Sequence, residues 1–114
     1  MKVLFHINDD ERWDRTLKNV ENFIADVGDT AEIVVLVNDS AVSVYEAHLD
    51  DICVILHWRM EALLKSGVKF RACRNALNAL NIEDGDPPAF VEIVPAGITE
   101  IVKRQMDGFA YIKP

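Results

Sequence analysis

The chain has 114 residues, half of them hydrophobic and 27% charged, which is enough to bury a core and excludes a disordered or low-complexity protein. With 12 basic and 19 acidic side chains its formal net charge is −7, so nucleic acid and anionic membrane surfaces are not expected partners. No apolar run reaches the roughly 18 residues of a membrane span, and the apolar start is too short for a signal peptide, so we expect a cytoplasmic protein with one domain over residues 1–114.

The first part of the chain alternates predicted strands with a predicted helix. Residues Lys2–Ile7 and Ile33–Val37 are almost entirely apolar, as is typical of strands covered on both faces. Between them, Asn8 and Glu11 have the spacing of a capping box, and Gly28 is placed to end a helix. Apolar residues spaced three or four apart predict that this helix is amphipathic: Trp13, Leu17, Val20, Ile24 and Val27.

The alternation continues to the end of the chain. A short helical piece is expected through Val42 and Tyr45, and a long helix over Asp51–Lys65 is apolar nearly all round in its first half, which indicates a face covered by another subunit. The remaining predicted elements, alternately strand and helix, are Val68–Cys73, Arg74–Leu80, Phe90–Val94, Ile98–Met106 and Phe109–Ile112. This order predicts an α/β domain with a mostly parallel sheet and helices on both of its faces.

Candidate functional residues follow from that fold class, because ligands bind beyond the carboxyl ends of parallel strands. The residues that follow predicted strands include Asn8, Asn38, Cys73, Asn75 and Gly97. Cys73 stands where a strand ends and a helix begins, and free backbone N–H groups with the positive end of the helix dipole favour a thiolate there. Burial favours the neutral thiol instead, so a reactive cysteine and a small buried hydrophobic residue both remain open.

Three other features have a chemical and a structural interpretation. Cys53 and His57 lie four residues apart on one helix and form half of a metal site, but no further ligand pair is evident, so we expect packing and no metal. His6, at the end of an apolar strand, is either a general acid or base or a hydrogen-bonded structural histidine. Trp58 belongs either to the core or to a subunit interface.

The sequence has no GxGxxG or Walker motif, which argues against a dinucleotide or nucleotide triphosphate site.

Several segments in order along the chain resemble those of a known family. The run GVKFRACRNAL, residues 67–77, resembles the strand-to-helix segment that carries the cysteine of DsrE/DsrF-like proteins. The first strand, VLFHI at residues 3–7, is similar to theirs, and residues 94–98 and 104–114 resemble the final strand, helix and strand of the small stand-alone members. The likeness covers nearly the whole chain and is weakest at about residues 40–61.

The resemblance implies a three-layer α/β/α fold with a five-stranded, mostly parallel sheet and assembly into dimers, trimers or hexamers. Members in the DsrEFH and TusBCD sulfur-relay complexes carry sulfur as a persulfide on one cysteine and pass it to the cysteine of a partner protein. By position that cysteine is Cys73. The stand-alone branch, to which this chain is most similar, implies no relay partner.

The function implied is a sulfur carrier or thiol-redox protein with a sulfur donor and acceptor, and with no metal or organic cofactor. In that reading the persulfide anion on Cys73 is stabilised by the helix N-terminus and by Arg71 or Arg74, and Asn75 donates a hydrogen bond to it. Gly97, after the fourth strand, can turn a backbone N–H toward an anion. The alternative is a non-catalytic homo-oligomer of the same fold that binds a small ligand or acts as a scaffold, with Cys73 lining a pocket.

Overall fold

In the computed structural model, strands and helices alternate along residues 1–28, 30–46 and 50–114, the part of the chain that the structure describes; His48 lies outside it. The strands are β1 (Lys2–Ile7), β2 (Glu32–Val37), β3 (Lys69–Cys73), β4 (Val91–Val94) and β5 (Ala110–Ile112). The α-helices are α1 (Trp13–Val27), α2 (Asp51–Leu64), α3 (Arg74–Ala79) and α4 (Gly97–Met106). Two 3₁₀ segments, Asp10–Arg12 and Asp39–Tyr45, complete the order, the second in place of the expected helical piece.

The five strands form one sheet in the order β4-β3-β2-β1-β5, and every neighbouring pair is parallel. The predicted α/β class with a five-stranded, mostly parallel sheet and helices on both faces is therefore confirmed. At the carboxyl ends, Ile7 pairs with Val37 and Cys73 pairs with Val94, so the ends of four strands meet along one edge. A ligand site is expected beyond that edge.

The direction of each crossover determines which face each helix covers. From β1 to β4 the chain steps across the sheet in one direction, and residues of α1, α2 and α3 share one core cluster with Phe5, Val35 and Phe70. From β4 the chain returns to the far edge through α4, whose Ile101 packs on the opposite face against Leu4 and other residues. Right-handed crossovers require this reversal. The chain thus leaves β3 toward one face and β4 toward the other, which opens a crevice between them.

The beginning of α1 differs from the prediction. The residue that caps the segment is Asp9, whose carboxylate accepts a hydrogen bond from the backbone N–H of Glu11 over 2.9 Å. Asp9 still has extended backbone angles, φ −136° and ψ 128°, so the turn begins one residue later than a cap at Asn8 requires. The end of the helix agrees with the prediction: Gly28 has φ 78° and its N–H bonds to the carbonyl of Ile24.

Two helices leave apolar side chains in solvent. On α2 the side chains of Ile52, Ile55 and Trp58 are 69%, 52% and 66% exposed. On α4 only one large apolar side chain is buried, and Ile98, Val102 and Met106 are at least half exposed. We call these two sets the α2 face and the α4 face. No helix in the described ranges is long and apolar enough to cross a membrane.

Candidate functional site

The crevice between β3 and β4 contains Cys73 and Gly97. Cys73 is the last residue of β3, and it is buried, with 6% of its surface exposed. The backbone N–H of Gly97, the first residue of α4, donates a hydrogen bond to Sγ of Cys73 over 3.2 Å. The side chain of Cys73 makes no cap bond to α3, the helix that follows it directly, and its donor belongs to α4, the helix that follows the neighbouring strand β4.

The start of α4 leaves this N–H free to bond to sulfur. The first intrahelical bond runs from the N–H of Glu100 to the carbonyl of Ala96, and Ala96 supplies no side-chain cap. The N–H groups of the first turn therefore have no acceptor within the helix, and they carry the positive end of its dipole. Through the Gly97 donor, the start of α4 is therefore in contact with the sulfur of Cys73.

Position 97 requires glycine because its backbone lies close to the side chains of Cys73 and Asn38. A Cβ added there would lie 3.3 Å from Cβ of Cys73 and 3.3 Å from Cβ of Asn38, closer than ordinary van der Waals contact. Both neighbours are buried residues at the ends of strands, so neither moves freely. The absence of a side chain lets α4 begin against the sulfur.

A cavity of about 560 Å³ opens beside Cys73 and Gly97, a size typical of sites for small ligands. Its polar lining includes Asn38, Ser40 and Asn75, and its apolar wall includes Leu80 and Ile98. Asn75 is exposed, whereas Asn38 is buried with 7% of its surface exposed. A cavity of this volume admits a small molecule or the tip of a side chain from another protein.

A chain of hydrogen bonds runs from the buried Asn38 through the buried His6 to Tyr111 at the surface. Nε2 of His6 lies 2.8 Å from Oδ1 of Asn38, and Nδ1 of His6 lies 2.6 Å from the hydroxyl of Tyr111. Burial raises the pKa of Tyr111 above its usual value of 10.0, so the hydroxyl stays neutral. His6 is thus hydrogen-bonded on both ring nitrogens. The sequence offered no signal for Tyr111, which lies 105 residues further along the chain.

The two arginines proposed to stabilise an anion at Cys73 have carboxylate partners. Arg71 donates to Glu92 over 3.0 Å and to Glu100 over 2.6 Å, and Arg74 is paired with Asp84. Both arginines, like Asn8, lie outside the lining of the cavity. Of the predicted binding residues, the structure therefore brings Asn38, Asn75 and Gly97 to Cys73 and leaves Asn8, Arg71 and Arg74 apart.

Cys53 and His57 have separate environments on α2. His57 donates from Nε2 to the carbonyl of Val44 over 2.8 Å. Burial raises the pKa of the Cys53 thiol, and the carboxylate of Asp50 raises it further. Within the described ranges, no three His, Cys, Asp or Glu side chains come together as a metal ion requires.

Comparisons with known proteins agree with this architecture. The model of the DsrE/DsrF-like family matches residues 1–114. The structure of MTH1491, a protein of unknown function from Methanobacterium thermoautotrophicum, is similar with a TM-score of 0.85 and 32% sequence identity, over 99% of this chain and 98% of that one. The ychN protein of E. coli has the same fold, with a TM-score of 0.82 at 13% identity over 100% and 99% of the two chains. Among curated proteins, none matches significantly.

Proposed function

The chain belongs to the DsrE/DsrF-like family, and from this membership and the surroundings of Cys73 we propose that it is a sulfur carrier or thiol-redox protein whose Cys73 forms a persulfide. The observation that carries the proposal is the hydrogen bond from the Gly97 N–H to Sγ of Cys73, in the lining of a cavity. A thiol used only for packing needs neither a backbone donor nor access to a cavity.

Loading of sulfur begins with the thiolate of Cys73. The thiolate attacks the outer sulfur of a donor hydropersulfide, R–S–SH, so that a bond forms between Sγ and that sulfur. The sulfur–sulfur bond of the donor breaks, and the donor leaves as the thiolate R–S⁻ with the electron pair. The product, Cys73–S–SH, loses its proton to water to give the persulfide anion. Sulfur changes carrier at constant overall oxidation state, so the step needs no oxidant, metal or organic cofactor.

Delivery of sulfur reverses the roles. An acceptor thiolate attacks the outer sulfur of protonated Cys73–S–SH, the new persulfide forms on the acceptor, and Cys73 leaves as a thiolate. The Gly97 N–H stabilises the departing charge on Sγ. The amide groups of Asn38 and Asn75, which line the cavity, are available to bind the outer sulfur. A second cysteine in the same chain is not needed.

The proposal includes assembly of several copies of the chain. The α2 face and the α4 face expose large apolar side chains on opposite sides of the sheet, and such patches are costly to leave in water. Two distinct contact surfaces on one subunit can build assemblies beyond a dimer. We expect a homo-oligomer in which a contact through the α4 face would border the cavity, because Ile98 belongs to both.

The alternative function, a small-ligand-binding or scaffolding homo-oligomer, is favoured by the apolar wall of the cavity, which includes Leu80 and Ile98. In that case Cys73 is part of the wall of the cavity and does not form a persulfide. A ligand that binds equally to the wild type and to the Cys73→Ser variant, without any sulfur transfer, would support the alternative.

The test is intact-protein mass spectrometry after incubation with cysteine hydropersulfide. Wild type and two matched variants, Cys53→Ser and Cys73→Ser, are compared. Added mass of roughly 32 Da, one sulfur atom, is expected on wild type and Cys53→Ser and not on Cys73→Ser. The loaded Cys53→Ser protein is then mixed with a small acceptor thiol, and the added mass is expected to disappear as the acceptor persulfide forms.

Two results would contradict the carrier function. One is no added sulfur on Cys53→Ser, and the other is equal loading of the two single variants. Either would mean that the environment of Cys73 gives it no advantage over Cys53, a partly exposed thiol on a helix.

A further inference from the structure

His6 is a buried polar side chain that the steps at sulfur do not use. It lies in β1, 6% exposed, on a strand whose other residues from Val3 to Ile7 are apolar. Burying an imidazole in this layer is favourable only when both ring nitrogens are hydrogen-bonded. Asn38 and Tyr111 provide those two bonds, and Asn38 also lines the cavity beside Cys73.

The orientation of the Asn38 amide, with Oδ1 toward His6, determines the direction of each bond. Oδ1 of Asn38 can only accept, so the proton of neutral His6 is on Nε2 and is donated to Asn38. Nδ1 then has a lone pair, and the hydroxyl of Tyr111 donates to it. In this arrangement Tyr111 supplies the bond that satisfies the lone pair of Nδ1, and the Nε2–H of His6 selects which end of the Asn38 amide faces away from it.

The selected end is the NH₂ group. Nδ2 of Asn38 lies 3.5 Å from the point where a Cβ on Gly97 would stand, and Cβ of Cys73 lies 3.3 Å from the same point. The amide donor and the cysteine thus converge on Gly97 from two neighbouring strands. With the amide reversed, Oδ1 would take the place of Nδ2 and repel a thiolate or persulfide anion.

We propose that His6, held by Tyr111, is a positioning residue that keeps the NH₂ group of Asn38 turned toward the sulfur of Cys73. The Gly97 N–H already bonds to Sγ, and the Asn38 NH₂, which converges on the same glycine, is the second donor that we assign to a sulfur anion. The chemical use of this site rests on the proposed function, whereas its effect on the thiolate of Cys73 is independent of any sulfur transfer. The inference also gives the C-terminal strand a role at a site formed by β2, β3 and α4.

The test measures the rate at which Cys73 is alkylated by iodoacetamide at pH 7, in the Cys53→Ser background so that one thiol reacts. In His6→Leu the amide of Asn38 is free to reverse, and we expect alkylation to slow about fivefold, the effect of losing one hydrogen bond to a charged group. His6→Gln keeps an N–H donor near the position of Nε2, and we expect it to restore most of the rate.

A double-mutant comparison separates positioning from general structural damage. If His6 acts through Asn38, then His6→Leu has no further effect once Asn38→Ala is present. Tyr111→Phe, which removes one hydroxyl from a side chain at the protein surface, is the second variant should His6→Leu fail to fold. We expect it to slow alkylation about twofold and to populate the Nδ1–H tautomer of His6 in ¹⁵N NMR spectra.

The proposal is overturned if folded His6→Leu reacts as fast as wild type, if His6→Gln reacts as slowly as His6→Leu, or if the effects of His6→Leu and Asn38→Ala add. It is also overturned if Tyr111→Phe leaves both the rate and the tautomer unchanged. Absence of persulfide loading together with the expected alkylation pattern would count against the carrier function alone.

Discussion

Sγ of Cys73 and the backbone nitrogen of Gly97 lie 3.2 Å apart although the residues are 24 positions apart in the chain. The contact exists because the chain leaves β3 and β4 toward opposite faces of the sheet, so that the two strand ends border one crevice. The donor belongs to the first turn of a ten-residue helix, where N–H groups lack partners within the helix. The topology of the sheet therefore places a hydrogen-bond donor against the cysteine.

Gly97→Ala tests this contact. The new Cβ meets two buried Cβ atoms at 3.3 Å, so α4 has to move away from β2 and β3. We expect a loss of about 1–3 kcal/mol in the free energy of unfolding, measured with urea and circular dichroism. We also expect slower alkylation of Cys73, because the N–H donor moves away from Sγ.

The matched control is Gly85→Ala, where an added Cβ meets nothing within 4 Å. We expect this variant to unfold within about 0.5 kcal/mol of the wild type. If Gly97→Ala behaves like Gly85→Ala in both stability and alkylation, then the close approach of Gly97 to Cys73 has no energetic consequence.

The ion pair of Arg71 with Glu100 is more buried than the ion pair of Arg74 with Asp84. We therefore expect Arg71→Met to lower the free energy of unfolding more than Arg74→Met does. The Arg71 and Glu100 side chains are 13% and 12% exposed, so Arg71→Met leaves a mostly buried carboxylate without its shortest contact. We expect a loss of about 2 kcal/mol in the free energy of unfolding. The loss is smaller than for a fully isolated buried charge, because Nε of Arg104 lies 3.4 Å from the same oxygen of Glu100. The pair of Arg74 with Asp84 is more exposed, and Arg74→Met is expected to cost less than about 1 kcal/mol.

Urea unfolding of the two methionine variants, measured side by side, provides the comparison. Equal losses of stability would show that burial of the Arg71 pair is unimportant for stability.

Arg74→Met is also expected to leave the alkylation rate of Cys73 within about twofold of the wild type, since the guanidinium of Arg74 is held by a carboxylate outside the cavity. A larger drop would restore Arg74 to the set of groups that stabilise the sulfur anion.

Much of the fold could be predicted because its determinants are local. Runs such as Lys2–Ile7 are apolar because both faces of the sheet are covered, and each predicted strand agrees with the structure to within one residue at either end. The apolar stripe of α1 and the stop at Gly28 are equally local signals. The all-parallel sheet follows from the alternation of these elements.

The candidate site was less predictable because it depends on contacts between distant residues. Gly97 and Cys73 were both identified as strand-end residues, but their hydrogen bond depends on the order of the strands, which no local pattern encodes. The same limit applies to Tyr111, which reaches His6 only because β5 pairs with β1. Arg71 was expected to stabilise an anion on Cys73, and its ion pairs with Glu92 and Glu100 come from elements that follow it in the chain.

The titration of Cys53 is expected to depend on the charge of Asp50. Burial raises the pKa of Cys53 above its usual value of 9.0, and the Asp50 carboxylate adds to the shift because it disfavours a neighbouring thiolate. In Asp50→Asn the negative charge is lost while the side chain still caps α2, where it accepts from the N–H of Cys53. We therefore expect the pKa of Cys53 to fall and its alkylation in the Cys73→Ser background to become faster at every pH below 9.

The rate of Cys53 alkylation, followed from pH 7 to pH 10 in both proteins, measures this effect. The same replacement in the Cys53→Ser background is the control, because Asp50 lies at the start of α2 and away from the cavity of Cys73. An unchanged profile for Cys53 would mean that burial alone determines its titration.

The α2 face and the α4 face are each expected to be a contact between subunits, and a charge placed in one face tests that contact separately. Trp58→Lys places a charge in the α2 face, and Met106→Lys places one in the α4 face, where the side chains are 66% and 82% exposed in the isolated subunit. A desolvated lysine without a partner opposes association. If both faces are contacts between subunits, each variant should form a smaller assembly than the wild type, and the double variant should be a monomer by light scattering coupled to size-exclusion chromatography.

Leu80→Lys is the control, since Leu80 is an exposed apolar residue of the cavity wall that belongs to neither face. We expect this variant to keep the wild-type mass, which separates a contact surface from a general effect of added charge. A wild-type protein that is monomeric at micromolar concentration would remove the assembly from the proposed function. A mass reduced by Trp58→Lys but not by Met106→Lys would limit the interface to α2, and the apolar side chains of α4 would then face solvent or a different protein.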